Sequence, residues 1–145
     1  MIVTDRETQL LEVLGGVVRN LSRLSGGLEE GLPLTPTQRV TLFETLEAEP
    51  VRLNDLAERL GVSPPTASRA VDALFDHGLL ERVPDPADRR AVRISVTDLG
   101  RSIVDERKAR VLAAFLPAVA TMPAADQDRL VELLTELDDA LRKLP

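Results

Sequence analysis

The sequence predicts a mainly α-helical fold: a winged helix-turn-helix with a small β-hairpin wing, flanked by N- and C-terminal dimerisation helices. Three observations carry this expectation. Two short amphipathic segments, "LNDLAERLG" and "SPPTASRAVDALFDHG", meet at a turn containing Gly61, which is the arrangement of a helix-turn-helix. Directly after them, "AVRISV" alternates apolar and polar residues behind the turn-like "PDPADRR", the pattern of a hairpin whose second strand is half-buried. Leucine-rich seams occupy both ends of the chain. The 145 residues suit one domain, with about 1–31 and about 101–145 as dimerisation helices and about 35–100 as the winged helix-turn-helix.

Taken in order, Thr4 and Glu7 have capping-box spacing and open a first helix. Leu10, Leu14, Val17, Leu21, Leu24 and Leu28 then recur every three or four residues, a 3.5-residue repeat suited to pairing with another long helix. Gly15-Gly16 and Gly26-Gly27 weaken that helix and predict a bend or close packing, with an end near Gly31. In "LTPTQRVTLFETL", Thr35 is placed to cap, Pro36 sits at the first helical position, and Gln38 completes a capping box. Val40, Leu42, Phe43 and Leu46 are its expected buried side, and Glu49-Pro50 its end.

Val51-Arg52 suits a short extended piece, before a helix burying Leu56, Ala57 and Leu60 that Gly61 stops. Ser63 caps the next helix and Pro64 opens it, with Ala67, Ala70, Val71, Leu74 and Phe75 as the inward stripe and Gly78 as terminator. After the hairpin, Ile103, Val104, Val111, Leu112, Phe115, Leu116 and Val119 mark a further helix whose end Pro117 and Pro123 disturb. Leu130, Leu134, Leu137, Leu141 and Leu144 repeat the 3.5-residue seam in the last one. Both seams are terminal and offer more apolar face than a compact domain needs, so Leu10, Leu14, Val17, Leu130, Leu134, Leu137 and Leu141 are expected to build a homodimer.

Composition narrows the function. There is no cysteine, which excludes disulfides and thiolate metal sites, and there is one histidine and no Trp or Tyr. No acid/base or nucleophile set can be assembled, so neither a catalytic nor a metal site nor a cofactor is expected. His77, beside Gly78 at a helix end, is favoured there by the helix dipole alone. Asp72/Asp76, Asp126/Asp128 and Asp138/Asp139 read as solvated faces rather than ligand pairs. No apolar run spans a membrane and the N-terminus lacks a signal-peptide pattern, so the chain reads as cytoplasmic.

The net charge is −6, yet residues 51–100 carry 7 basic and 8 acidic side chains, with Arg89, Arg90 and Arg93 clustered. A local basic surface on an acidic body calls for a specific anionic partner. With its stripe inward, the helix from Pro64 presents Pro65, Thr66, Ser68 and Arg69 outward beside Ser63, small and polar as a major-groove helix needs. Taken alone, that helix fits an ordinary solvated face equally well, and Asp72 and Asp76 fit the solvated face better. The hairpin shifts the balance. Arg89 and Arg90 at its tip reach a minor groove or flanking phosphates, and Arg93 on the solvent face follows the backbone. Asp85 and Asp88 could instead neutralise these arginines; the expectation is divided, with Asp88 orienting one arginine while another reaches outward. The predicted partner is double-stranded DNA. The rival is a winged-helix dimer that binds an acidic or helical protein.

The stretches "LTPTQRVTLFETL", "LNDLAERLGVSPPTASRAVDALFDHGLLERV" and "DRRAVRISVTDLG" together resemble the MarR family (multiple antibiotic resistance regulators) of bacterial transcription factors. Asp88, Arg90, Thr97 and Gly100 occupy the places of that family's wing signature. The resemblance implies a homodimer with intertwined terminal helices, recognition helices in adjacent major grooves of a palindromic operator, and Arg90 in the minor groove. It further implies a repressor released by a small-molecule effector, often an aromatic anion, bound between the dimer helices and the DNA lobe. Lacking cysteine, the chain stands apart from the peroxide-sensing branch; lacking Tyr and Trp, it would line a pocket mainly with Leu, Val and its three phenylalanines.

Overall fold

The computed structural model describes residues 3–26 and 32–144. Six helices and one hairpin follow in the order α1 (Asp5–Gly26), α2 (Pro36–Ala48), α3 (Leu53–Leu60), α4 (Pro64–Asp76), β1 (Leu80–Pro84), β2 (Val92–Val96), α5 (Asp98–Val119) and α6 (Ala124–Arg142). The expected end of the first helix near Gly31, and Leu28 and Gly27 with it, lie outside the described residues. Within them α1 runs through Gly15-Gly16 as one helix. Thr4 and Glu7 cap it reciprocally, the Thr4 amide donating to the Glu7 carboxylate at 2.7 Å.

The predicted caps are present. The Gln38 amide donates to Thr35 Oγ1 at 3.2 Å and the Thr35 amide to Gln38 Oε1 at 3.0 Å, behind Pro36. Ser63 Oγ accepts from the Thr66 amide at the head of α4. Gly61 ends α3 with φ 65°, a left-handed conformation that its amide uses to close onto the last turn.

The core lies where α2, α3 and α4 meet the hairpin. Leu56, Leu74 and Leu79 are fully buried, with Leu42, Val71, Leu80, Ile94, Val96 and Val104 packed around them. Here α2 departs from the expected burial. Val40 and Phe43 are exposed, and the inward positions belong to Thr41, Leu42 and Thr45. Each buried hydroxyl donates to the carbonyl one turn back, Thr41 to Thr37 and Thr45 to Thr41, both at 2.7 Å. That satisfies the hydroxyl inside the helix and leaves a methyl to pack.

The hairpin is antiparallel, in a register that sets Leu80 opposite Val96 and Arg82 opposite Ile94. On the far side of β2, Val51 pairs with Ile94 through bonds of 2.7 and 3.0 Å, so the short extended piece before α3 adds a third edge. Thr97 caps α5, accepting from the Gly100 amide at 3.1 Å. Gly100 could be nothing larger: a Cβ there would lie 2.4 Å from the Leu79 carbonyl oxygen and 2.7 Å from Val96. Pro117 falls inside α5, which continues to Val119, and Gln127 donates its side-chain amide to the carbonyls of Val119 and Met122 across the bend into α6. Helix α6 buries none of its residues.

Candidate nucleic-acid interface

Two elements stand side by side on the hairpin end of the molecule, each rigid for a different reason. Helix α4 is fixed by its stripe: Ala67, Ala70, Val71 and Leu74 are buried and Phe75 half-buried. Its exposed face carries Pro65, Thr66 and Arg69, with Asp72 and Asp76 farther along. Ser63 and Thr66 share a hydrogen bond between their hydroxyls at 2.9 Å. Ser68 lies half-buried on the flank, lining a cleft of about 170 Å³ with Asp72, Phe75, Arg82 and Val92. Arg82 covers the Phe75 ring at 4.1 Å and stands 3.7 Å from Asp72.

The wing is held without an apolar core of its own. Asp85 donates its amide to the Ala91 carbonyl at 3.1 Å, one step past the hairpin ladder. The Ala91 amide then returns to the Asp88 carbonyl at 3.0 Å, so Asp88 to Ala91 form a β-turn. Asp88 Oδ1 accepts the Arg90 amide at 2.9 Å. Asp88 therefore does orient its neighbours, but through the backbone and not by pairing with a guanidinium. Arg89 and Arg90 occupy the two central turn positions, are exposed, and meet no carboxylate among the described residues.

Arg93 departs from its expected place on the solvent face. Its Nε lies 3.0 Å from Asp85 Oδ2 and its Nη1 donates to the Pro50 carbonyl at 3.2 Å. The same Asp85 oxygen takes Arg52 through Nη2 at 2.7 Å and Nε at 2.9 Å, and Oδ1 accepts the Ala87 amide at 2.9 Å. The Asp85 side chain is wholly buried. Arg93, the Ala87 amide and Arg52 hold its carboxyl well below the usual carboxylate range, against the opposing effect of burial. The strand pattern predicts an Arg93 open to solvent; the buried Asp85 and the Pro50 carbonyl instead draw its guanidinium back against the hairpin base and leave the side chain half-buried.

Glu49 makes a second junction, between α2, β2 and α5. Its carboxylate accepts from the Val96 amide at 2.6 Å and the Ser95 hydroxyl at 2.8 Å, and pairs with Arg101. Burial pushes its carboxyl up, but these bonds together outweigh burial and leave it below its ordinary value.

A cavity of about 960 Å³ opens between α1, α2 and α5. Leu21, Val40, Phe43, Ile103, Val111 and Phe115 supply much of its apolar wall. Lys108 at its edge stands 5.3 Å over the Phe43 ring. Two of the three phenylalanines line it; Phe75 lies instead under Arg82. The exposure of Val40 and Phe43 on α2 is explained by this cavity. Apolar residues on two sides of α2 were the available signal, one side for the core and one for the cavity wall.

Among the described residues no partner face buries the seam residues. Leu10 is 65% exposed and Leu134 48%, with Val17, Leu137 and Leu141 exposed likewise and Leu14 and Leu130 half-buried. No helix among the described residues is long and apolar enough to cross a membrane.

Residues 34–92 match the model of the MarR family. A Mycobacterium tuberculosis protein of solved structure is 27% identical, with 97% of each chain covered and a TM-score of 0.76. A MarR family protein from Bacillus stearothermophilus is 22% identical over 98% of this chain and 100% of that one, at a TM-score of 0.83. FabT of Streptococcus pneumoniae, solved in complex with DNA, is 23% identical over 95% of this chain and 99% of that one, at 0.79. Residues 34–92 thus match the MarR family's model, and along nearly its whole length the chain has the winged-helix fold of a solved MarR family protein.

Proposed function

We propose that this chain is a homodimeric, sequence-specific DNA-binding repressor whose hold on its operator is modulated by a small apolar anion. The observation that carries the reading is the wing: two arginines, unpaired among the described residues, on a backbone-fixed turn beside the exposed Ser63–Arg69 face of α4, on a chain of net charge −6. In this reading α4 enters a major groove, with Pro65, Thr66 and Arg69 facing bases, while Arg89 and Arg90 reach the neighbouring minor groove. Ser68 supports the helix flank, and Ser63 at the head of the helix faces phosphate.

Dimerisation is supported by the exposed leucines of α1 and α6, which two copies bury on each other. A two-fold dimer presents two α4 helices about 34–36 Å apart, one turn of DNA, to a palindromic operator. Occupying that operator blocks polymerase. The cavity between α1, α2 and α5 suits an aromatic or aliphatic anion, with apolar walls and Lys108 beside Phe43. A ligand that prefers one disposition of α5 over another shifts DNA affinity by that difference alone.

Fluorescence anisotropy on a duplex from upstream of the chain's own gene, against a scrambled duplex at 50 and 200 mM salt, tests the reading. Preferential binding that collapses with salt supports it. Strong binding to a protein partner with no salt-dependent DNA binding would replace it with the protein-interaction reading. In the same assay Arg69→Ala costs about 1–3 kcal/mol at one base position; a uniform loss over all sequences would make Arg69 a phosphate contact.

A further inference from the structure

We propose that Asp85 sets the specificity of the wing by withholding Arg52 and Arg93 from DNA phosphates. The inference rests on the DNA-binding reading above. Apart from Arg82, which lies over Phe75 on the α4 side, four arginines gather at the wing and its base: Arg52 at the head of α3, Arg89 and Arg90 on the turn, and Arg93 on β2. An arginine within reach of phosphate binds every sequence alike, so each one set free raises non-specific affinity more than it helps recognition.

The geometry divides the four into two pairs. Arg89 and Arg90 are exposed and unpaired among the described residues. Arg52 and Arg93 converge on one oxygen of a carboxylate that is itself wholly buried, at 2.7 and 3.0 Å, and Arg93 is further tied to the Pro50 carbonyl. An exposed ion pair would exchange readily for phosphate. This one does not, because removing its cations would strand a buried carboxylate whose other oxygen already holds the Ala87 amide. Both arginines remain part surface, with side chains 48% and 28% exposed, so burial of their own is not what keeps them from phosphate. The acid does. It also ties the wing base to the N-terminus of α3, across 33 residues of sequence, and so fixes where Arg89 and Arg90 stand relative to the helix-turn-helix. Asp85 is thus a positioning residue that turns a four-arginine patch into a two-arginine contact.

The test is the slope of log K against log[salt], for the tightest-binding duplex drawn from a randomised pool and for a scrambled duplex of the same length. Wild type, R90Q, R52Q, R93Q and D85N are compared, each with a far-ultraviolet circular dichroism spectrum. R90Q is expected to flatten the slope, while R52Q and R93Q leave it at the wild-type value on both duplexes. D85N is expected to steepen it on the scrambled duplex by about 0.9 for each arginine released in each protomer. It also raises scrambled-duplex affinity several-fold and lowers the ratio of selected to scrambled binding. A merely structural role for Asp85 would weaken binding to both duplexes and would not steepen either slope. Flattening by R52Q or R93Q comparable to that of R90Q overturns the proposal, as does a folded D85N with the wild-type slope. Should D85N lose its helical spectrum, the R52Q and R93Q slopes decide the matter alone. Wild-type binding that ignores salt, or is absent, removes the DNA reading itself and this inference with it.

Discussion

The two halves of this molecule bury their apolar residues to opposite degrees. In the winged helix-turn-helix, three helices and a hairpin close on Leu56, Leu74 and Leu79 until nothing of them is exposed. In the flanking helices the apolar residues are as regular in sequence, but α6 buries none of its residues, and of the described α1 seam Leu10 and Val17 are exposed and Leu14, Leu21 and Leu24 only half-buried. The contrast teaches that hydrophobic periodicity measures the wish for a partner, and that the partner need not belong to the same chain. One half is a finished core; the other presents the open apolar face that the proposed dimer would cover.

Substitutions sharpen this contrast, beginning with the largest effect. Leu56→Ala, at a fully buried site, is expected to cost about 2–5 kcal/mol, read as a urea midpoint that does not change with protein concentration. A midpoint that moved with concentration would place the limiting step of unfolding in the assembly and dissolve the distinction. Leu134→Glu, on the open seam, is expected to remove about 1.5–3 kcal/mol of burial per protomer from a dimer. Sedimentation should then show monomers whose near-native helical spectrum survives; a variant that remained dimeric would exclude this face from the interface.

Thr35→Ala tests whether the closed half depends on its caps, and about 1 kcal/mol is expected from losing the reciprocal bonds with Gln38. The smallest expected effect is that of pH. Asp85 and Glu49 both have carboxyls held below their ordinary values in the folded chain. Their contribution is complete above the usual carboxylate range and is lost as pH falls through and below it, where the unfolded chain takes up protons first. Both acids lie in the winged half, so acid should loosen that half preferentially. Urea midpoints for wild type and Asp85→Asn should stay apart from pH 7 down to about 4 and converge only as pH falls below the usual carboxylate range; a gap that stayed constant below that range would assign the acid sensitivity elsewhere.

What could be read from the sequence were the features that a few neighbouring residues decide. Thr35, Pro36 and Gln38 act within one turn, Ser63 and Thr66 likewise, and the alternation of β2 is local. Thr97 and Gly100 are legible too, but the reason for the glycine is the Leu79 carbonyl against it, which is not a neighbour in sequence. The inward side of α2 was misread because Val40 and Phe43 are as apolar as any core residue. They face a cavity made with α1 and α5, helices far away in sequence. The strand alternation alone does not place Arg93 either. Its partners are a buried acid and the carbonyl of Pro50, 43 positions back, and no local period reports such a contact.

The wing turn has a consequence for how such a chain can change over generations. From Pro86 to Arg90 no side chain is buried, and the turn keeps its shape through backbone bonds and the carboxylates of Asp85 and Asp88. Substitutions at Ala87, Arg89 or Arg90 therefore cost the fold almost nothing, while those at Asp85 or Gly100 reach into its interior. As far as folding goes the exposed turn is free to drift, and the frame that carries it is not. A lineage could thus exchange one target for another by rewriting a few exposed letters, with no intermediate that fails to fold.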